Sequence, residues 1–201
     1  MISSTMRSLV AASIALPLSA CAFLSPPKPP PETYDISAPR NFDSLRGVTR
    51  AQLLVKEPTA LKAIDSEQIL LKPSPSVIAY LSGAQWSDRV PKMVQAKLTQ
   101  AFENTERARA VAKPGDGLVI DYQLVMDLRR FQIEAVNGGD RAVVELTVKL
   151  LNDRNGRVLR TRIFEATAAT RGSDNDDYVA ALDAAFDKVT REIIEWVLRR
   201  V

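Results

Sequence analysis

The feature that most constrains the fold of this chain is the alternation of apolar and polar residues along two long segments. The apolar residues of the first segment are Leu118, Ile120, Tyr122, Leu124, Met126 and Leu128, and those of the second are Ala142, Val144, Leu146, Val148 and Leu150. Because successive side chains of a β-strand point to opposite faces, this pattern predicts two long strands with one buried face. Turns are expected at residues 137–140 and at Asn155 with Gly156, where positive φ is tolerated. With residues 157–168 as a returning strand, the sequence predicts an antiparallel meander of three long strands.

Shorter apolar segments predict the remaining strands. They lie at residues 51–55, 67–72, 77–81 and 108–112, and the first three end at Pro58, at Pro73, and at Ser82 with Gly83. Proline and glycine interrupt regular backbone pairing, which is why the predicted strands end there.

Two segments with helical spacing predict helices that cover the sheet. The first spans residues 88–104, with Ser87 as its N-cap. The second follows Asp174 and carries an apolar stripe, namely Val179, Leu182, Phe186, Val189, Ile193 and Trp196. A coiled-coil seam has the same spacing, but the stripe is shorter than three heptads and the sheet needs a cover. The predicted fold class is therefore α+β: an antiparallel or mixed sheet with a three-stranded meander, covered by a mid-chain and a C-terminal helix.

The first 20 residues have the form of a secretory signal peptide. Arg7 supplies the positive charge, and the apolar segment at 8–18 is shorter than the roughly 20 residues that a membrane-spanning helix needs. Cys21 follows a cleavage motif made of Leu18, Ser19 and Ala20. This arrangement matches the lipobox of bacterial lipoproteins, in which the thiol carries diacylglycerol and the new amino terminus carries an acyl chain such as palmitate. The alternative is a plain secretory signal followed by an incidental cysteine.

A proline-rich segment separates Cys21 from the folded part. Residues 22–33 contain five prolines, which predicts an extended spacer with a reach on the order of 35 Å. In Gram-negative lipoproteins an Asp after the cysteine tends to retain the protein in the inner membrane, and the Ala22 found here points to the outer membrane, on its periplasmic side. The predicted organisation is a signal peptide at 1–20, a lipidated cysteine and tether at 21–33, and one periplasmic domain at 34–201.

The composition narrows the chemistry that this chain can perform. It contains no histidine and one cysteine, which excludes Ser-His-Asp and Cys-His catalysis, the common zinc sites and a disulfide within the chain. A net charge of +3 without a basic stripe of interleaved aromatics argues against nucleic acid. We therefore predict no catalytic residue, no metal site and no cofactor beyond the lipid on Cys21. Carboxylates remain chemically competent, but the alternation puts most of them on the solvent face: Asp121, Asp127, Glu134 and Glu145.

A series of short motifs, in order along the mature chain, carries a family resemblance. Besides Cys21 they are Tyr34-Asp35-Ile36, Leu53 and Val55 with Pro58, Ile69, Tyr80 to Pro91 around Trp86 and Asp88, Asp121-Tyr122 with Leu124 and Phe131, Asp153 with Gly156 and Val158, and Glu195-Trp196-Val197. In these features the chain resembles the ABC-type transport auxiliary lipoproteins, which include the paraquat-inducible C-like lipoproteins. One departure is Ile36, where the family usually has Leu.

The resemblance implies a non-catalytic role in lipid transport between the inner and outer membranes. The implied partners are a substrate-binding protein of the mammalian-cell-entry type and an ABC permease with its ATPase, and a homo-oligomer is compatible with this role. The chain has no Gly-x-x-x-x-Gly-Lys motif, so ATP hydrolysis would belong to another subunit. The alternative is a structural envelope lipoprotein that scaffolds an assembly without a transport role.

Three groups of residues are candidates for contact with a partner. Trp86 and Asp88 form one, although Trp86 can instead pack the strand-to-helix corner while Asp88 serves the helix start. Tyr34 and Asp35 can hold the start of the domain in place, or they can contact a neighbouring subunit. The remaining alternative is that they form only a local turn. The third is a basic group that can face lipid headgroups or an acidic partner, but which we interpret as a solvated edge that discourages strand pairing: Arg154, Arg157, Arg160 and Arg162.

Overall fold

The computed structural model describes residues 29–42, 45, 47–135 and 139–201. The predicted cleavage motif, Cys21 and most of the tether lie outside the described residues, as do Asn137 and Gly138 of the first predicted turn. The lipid anchor therefore stays a prediction from the sequence.

The described residues form one mixed sheet of nine strands with two helices. In chain order the elements are β1 (Glu32–Tyr34), β2 (Gln52–Val55), β3 (Thr59–Ala60), β4 (Gln68–Ser74), β5 (Val77–Trp86), α1 (Val90–Asn104), β6 (Ala110–Ala112), β7 (Tyr122–Glu134), β8 (Arg141–Asn152), β9 (Val158–Ala169) and α2 (Asn175–Leu198). This confirms the predicted α+β class, with a mixed sheet, a long meander and one helix in each predicted position. β1 begins inside the segment predicted as tether.

Strand β7 is the centre of the sheet. On one side it pairs antiparallel with β8 along its whole length, and β8 pairs antiparallel with β9 at the edge of the sheet. On its other side three short strands pair with it in parallel, one after another: Leu53 of β2 lies opposite Tyr122, Thr59 of β3 opposite Asp127, and Leu70 of β4 opposite Gln132. β7 therefore connects the meander to everything that precedes it in the chain.

A β-bulge in β7 changes which residues face the core. Leu128 lies opposite Leu146 but Arg130 lies opposite Glu145, so Arg129 is the extra residue. Beyond the bulge the odd-numbered Phe131 and Ile133 belong to the hydrophobic core, whereas before it the even-numbered residues do. The period-two pattern predicted the strand but not this shift in phase.

Helix α2 covers one face of the meander and packs against β7, β8 and β9. Every residue of the predicted apolar stripe is buried, which confirms core packing. Two aromatic pairs join the helix to the sheet edge-to-face, Phe164 with Trp196 at 5.5 Å and Phe131 with Phe186 at 6.3 Å between ring centroids. Helix α1 packs against β2, β6 and α2, so its apolar side joins the same core.

Helix α1 begins later than predicted. Its N-cap is Arg89, which makes no side-chain capping bond, and Pro91 lies in its first turn. Ser87 was expected to be the cap, but its N–H donates to the carbonyl of Tyr34 at 2.8 Å. The chain is thus still paired as an extended segment at Ser87, and the prediction of the cap was wrong for that reason.

Strand β5 does not end at Ser82 and Gly83, as predicted, but runs on to Trp86. Gly83 has a φ of +73°, within an irregular stretch of the pairing with β4. The glycine is therefore part of a bulge and not a terminator. Beyond the bulge, Ala84 to Trp86 pair with β1, which gives the added residues a backbone partner.

The first long strand begins at Tyr122, four residues after its predicted start. Leu118 and Val119 are exposed, and β8 already ends at Asn152, opposite Tyr122. The backbone of Asp121 still bonds to Gln52 and to Asp153, but before Asp121 the partner strand β8 has already ended. Alternation alone does not reveal where the partner strand ends.

Candidate functional site

The point where the chain enters the domain is held by contacts to the sheet and to both helices. We call residues 32–37 the tether junction. Within it, β1 pairs in parallel with Ala84 to Trp86 of β5. Ile36, which follows, is 2% exposed and belongs to the core. The residues that follow the prolines are thus built into the sheet rather than lying on its surface.

Tyr34 connects the tether junction to the start of α2. Its hydroxyl oxygen lies 2.7 Å from a carboxylate oxygen of Glu32 and 2.7 Å from one of Asp176. The hydrogen bond to Glu32, followed by that to Asp176, raises the pKa of Tyr34 well above its usual value, because a phenolate would face two carboxylates. The phenol therefore keeps its proton, and its single O–H can donate to Glu32 of β1 or to Asp176 of α2.

Asp35 and Ser37 extend the junction to both helices. The carboxylate of Asp35 lies 2.5 Å from the ammonium of Lys97 on α1. Ser37 donates to Asp183 on α2 through its backbone N–H at 2.6 Å and through its hydroxyl at 2.7 Å. Contacts across more than 60 residues of sequence show that Tyr34 and Asp35 dock the start of the domain and are more than a local turn.

The structure places Trp86 in the core. Its side chain is 1% exposed and packs edge-to-face on Phe131 at 5.7 Å. The interpretation that it packs the strand-to-helix corner is therefore the one that the geometry supports. The indole has no free surface for the predicted contact with a partner, so that part of the candidate site is corrected.

Asp88 serves the start of α1. It accepts a hydrogen bond from the N–H of Arg89 at 2.8 Å and forms an ion pair with Lys92 at 2.6 Å. Lys92, and then the Arg89 N–H, lower the pKa of this carboxyl. Exposed ion pairs of this type contribute little to stability. Both contacts of Asp88 are local, so it remains a surface residue at the start of α1.

An ion-pair cluster lies on the meander face opposite α2. Glu145 is 8% exposed and accepts from Arg130 at 2.5 Å and from Arg129 at 3.2 Å. Arg130 also contacts Glu165 of β9 at 2.8 Å. Glu145 lies on the face that the alternation assigned to solvent, but unlike the other carboxylates it is buried there. The bulge at Arg129 brings two arginines to it, which the sequence pattern did not reveal.

The other three carboxylates that were considered for catalysis each contact a basic or hydroxyl group. Asp121 contacts Arg154 at 3.0 Å, Asp127 accepts from the Thr59 hydroxyl at 3.2 Å, and Glu134 contacts Arg141 at 3.0 Å. Within the described residues no three His, Cys, Asp or Glu side chains come together as a metal site would require. In the same part of the chain, neither helix combines the length and apolarity needed to span a bilayer.

The basic residues of β9 lie at the edge of the sheet, as interpreted from the sequence. Among the described strands, β9 pairs with β8 alone. Arg162 lies over the ring of Phe164 at 4.7 Å and near Glu192 at 3.6 Å, and Arg160 donates to the carbonyl of Leu159. Charged side chains along an edge strand hinder pairing with another chain.

Sequence reasoning missed most partners of the tether junction. Lys97 and Asp183 lie 62 and 146 residues from the junction residues that they contact. Each reads in the sequence as an ordinary polar residue on a helix. Only the packing of α1 beside α2 brings both to the start of the domain, so no local pattern could have identified them.

Comparison with known proteins gives consistent relatives. An uncharacterized protein of Bradyrhizobium diazoefficiens is 34% identical over 172 residues, which are 84% of this chain and 45% of that protein. The chain thus spans less than half the length of this curated relative. A solved structure from Xanthomonas campestris has 30% identity and a TM-score of 0.79, and the match covers 84% of this chain and 95% of that one. A hypothetical protein of Chlamydia trachomatis, at 6% identity and a TM-score of 0.53 over 74% of this chain and 96% of that one, shares the fold alone.

The family comparison covers the same residues as the fold. The sequence model of the ABC-type transport auxiliary lipoprotein component matches residues 34–194. The match begins at Tyr34 in the tether junction and ends within α2, so it includes most of the sheet and both helices. On this ground the chain belongs to the family of ABC-type transport auxiliary lipoproteins.

Proposed function

We propose that this protein is an outer-membrane lipoprotein that acts as a non-catalytic auxiliary component of an ABC-type lipid transport system. Lipids on Cys21 would hold it on the periplasmic side of the outer membrane. Its partners would be a substrate-binding protein of the mammalian-cell-entry type and the inner-membrane permease and ATPase. In this role the domain binds a partner protein and does not transform a substrate.

The observation that carries this proposal is the tether junction. An anchored binding domain must stay attached to its anchor while a partner exerts force on it. Tyr34, Asp35 and Ser37 connect the incoming chain to α2, to α1 and again to α2. A load on the tether would therefore be shared by the sheet and both helices, which suits a domain that functions while attached.

The anchor is tested by the substitution Cys21→Ser. We expect this change to abolish labelling by a fatty-acid probe and to release the protein from the membrane fraction, because the thiol is the proposed site of acylation. The matched control is Ala22→Ser, which keeps the cysteine and should keep both properties. Membrane attachment that persists in the Cys21→Ser variant would contradict the anchor.

The transport role is tested by binding to a defined partner. The probe is the periplasmic part of a mammalian-cell-entry-type protein from the same bacterium, purified and mixed with the mature protein. We expect complex formation both with lipidated protein and with the Cys21→Ser variant, since the domain makes the contact. Absence of a complex in both forms would reject this partner and leave the scaffolding role as the better explanation.

A further inference from the structure

A groove lies at the end of the sheet where β7 begins and β8 ends. Its volume is about 590 Å³, and three arginines line it: Arg50, Arg109 and Arg154. We call it the distal groove. Val119, Tyr122 and Val201 contribute to its walls, so the floor mixes apolar and basic groups.

The distal groove carries an excess of positive charge. Arg154 contacts Asp121 at 3.0 Å, and the same carboxylate accepts from the N–H of Gln52 at 3.0 Å. Among the described residues Arg50 and Arg109 have no carboxylate within 4.0 Å. The side chains that line the groove include three arginines and one carboxylate, that of Asp121. Two guanidinium groups are thus free to bind an anion.

Exposed apolar side chains accompany these arginines. Val119 in the groove wall is 79% exposed, and Val48, two residues before Arg50, is 75% exposed. Leu118 and Val158, near the same end of the meander, are 44% and 50% exposed. Scattered apolar residues on a surface are ordinary, but several at one end beside unpaired arginines are typical of a binding surface.

The distal groove and the tether junction lie at opposite ends of α2. Tyr34 contacts Asp176 in the first turn of the helix, and Val201 follows its last turn. The helix has 24 residues, which at about 1.5 Å each gives a length of about 36 Å. A domain attached to the outer membrane through the junction can therefore hold the groove far from that membrane.

We infer that the distal groove is the docking surface for a protein partner that presents carboxylates around an apolar segment. The inference rests on the proposed function for the position of the anchor. Arg50 and Arg109 would bind the carboxylates, and Val119 with Val48 would contact the apolar part. A protein is favoured over a lipid surface because the groove lies at the end of the domain away from the anchored bilayer.

Binding affinity with a matched pair of charge reversals tests this assignment. The test variant is Arg50→Glu with Arg109→Glu, and the control is Arg40→Glu with Arg171→Glu, which reverses the same charge near the tether junction. The probes are the mammalian-cell-entry-type protein named above and, separately, vesicles of phosphatidylethanolamine with phosphatidylglycerol. We expect the test variant to bind the protein about tenfold more weakly, with a larger loss at low salt, because two charged contacts are reversed. The control should bind like the unmodified protein.

Each other result overturns the assignment. Equal losses in the test and control variants would indicate an unspecific effect of charge, and no loss in either would place the docking surface elsewhere. Vesicle binding that depends on Arg50 and Arg109, while protein binding does not, would assign the groove to lipid. Circular dichroism of both variants checks that they fold, and these arginines are exposed, so we expect native spectra.

A crosslinking measurement separates failure of this inference from failure of the proposed function. If the unmodified protein does not bind the probe, a photoreactive residue in place of Val119 is tested in cells, with Val77 near the opposite end as control. A protein adduct identified by mass spectrometry at position 119 alone, and lost with the arginine reversals, supports the docking surface with another partner. Absence of such an adduct overturns it.

Discussion

At the scale of single residues, one hydrogen bond joins the start of α2 to the connection between β7 and β8. The hydroxyl of Tyr178 donates to Asp140 at 2.5 Å, and the ring is buried. This hydrogen bond, and then burial, raise the pKa of Tyr178 from 10.0 to about 12. The folded protein thus holds the phenolic proton more tightly than the unfolded chain does.

The raised pKa gives a prediction for alkaline pH. The contribution of this bond to stability is fully present below about pH 10 and is lost as the pH rises to about 12. We expect Tyr178→Phe to flatten this decline in the free energy of unfolding, measured by urea titration at several pH values. It should also lower stability at neutral pH by about 1 kcal/mol, since one hydrogen bond is removed.

Asp140→Asn tests the same hydrogen bond from the acceptor side, because it keeps the phenol and removes the charge that faces it. It should flatten the alkaline decline as well, and combining both substitutions should add little, since they remove the same interaction. An unchanged alkaline decline in Tyr178→Phe would show that this bond does not carry the pH dependence.

At the scale of elements, the sequence predicted the strands and helices that carry a repeating apolar pattern. It missed the element boundaries that depend on pairing with distant segments. The alternation from Ala142 to Leu150 and the stripe on α2 identified strand, helix and buried face, because one period extends over the whole element. The start of α1 at Val90, the extension of β5 past Gly83 and the late start of β7 depend on pairing with segments far away in sequence. The contacts of the tether junction also depend on distant segments, because they require both helices to be in place.

The junction predicts a local effect of its hydrogen bonds. In Ser37→Ala with Asp183→Asn, the hydroxyl donor and the carboxylate acceptor of this contact are removed. We expect amide hydrogen exchange in residues 32–42 to become about tenfold faster, corresponding to a loss of roughly 1–2 kcal/mol of local stability. Exchange in β8, which the junction does not touch, should change less.

Glu192→Gln is the control for this measurement, because it neutralises another exposed carboxylate on α2 that contacts Arg162 at 3.6 Å. Its exchange in residues 32–42 should match that of the unmodified protein. If the junction variant also shows unmodified exchange there, the contacts of Ser37 do not hold the incoming chain.

At the scale of the whole molecule, α2 extends from the tether junction to the distal groove. In the proposed arrangement the junction receives the anchor and the groove binds the partner. The distance from the membrane to the partner is then the sum of the tether and the domain. In this arrangement the tether residues before β1, 22–31, would set a length as well as provide attachment.

A change of tether stiffness tests this view. Replacing all five prolines of residues 22–31 with glycine or serine keeps the number of residues but reduces the expected reach from about 31 Å to about 17 Å. We expect crosslinking to the partner in intact cells to fall, while binding in detergent solution, where no membrane fixes the distance, stays the same. Equal crosslinking in cells would show that the reach of the tether is not limiting.

The arrangement of strands around β7 has a consequence for how the protein is made. The strands β2, β3 and β4 precede β7 in the chain yet depend on it for their parallel pairing. A chain exported from its amino terminus would deliver these three strands to the periplasm before β7 arrives. β4 can pair with β5, and β2 with β6, before β7 arrives. The edges of β2, β3 and β4 that face β7 would stay unpaired until then, and parallel pairing between distant segments forms slowly. The first half of the domain can therefore complete its pairing only after β7 has been exported. A periplasmic chaperone could bind the first half during that interval.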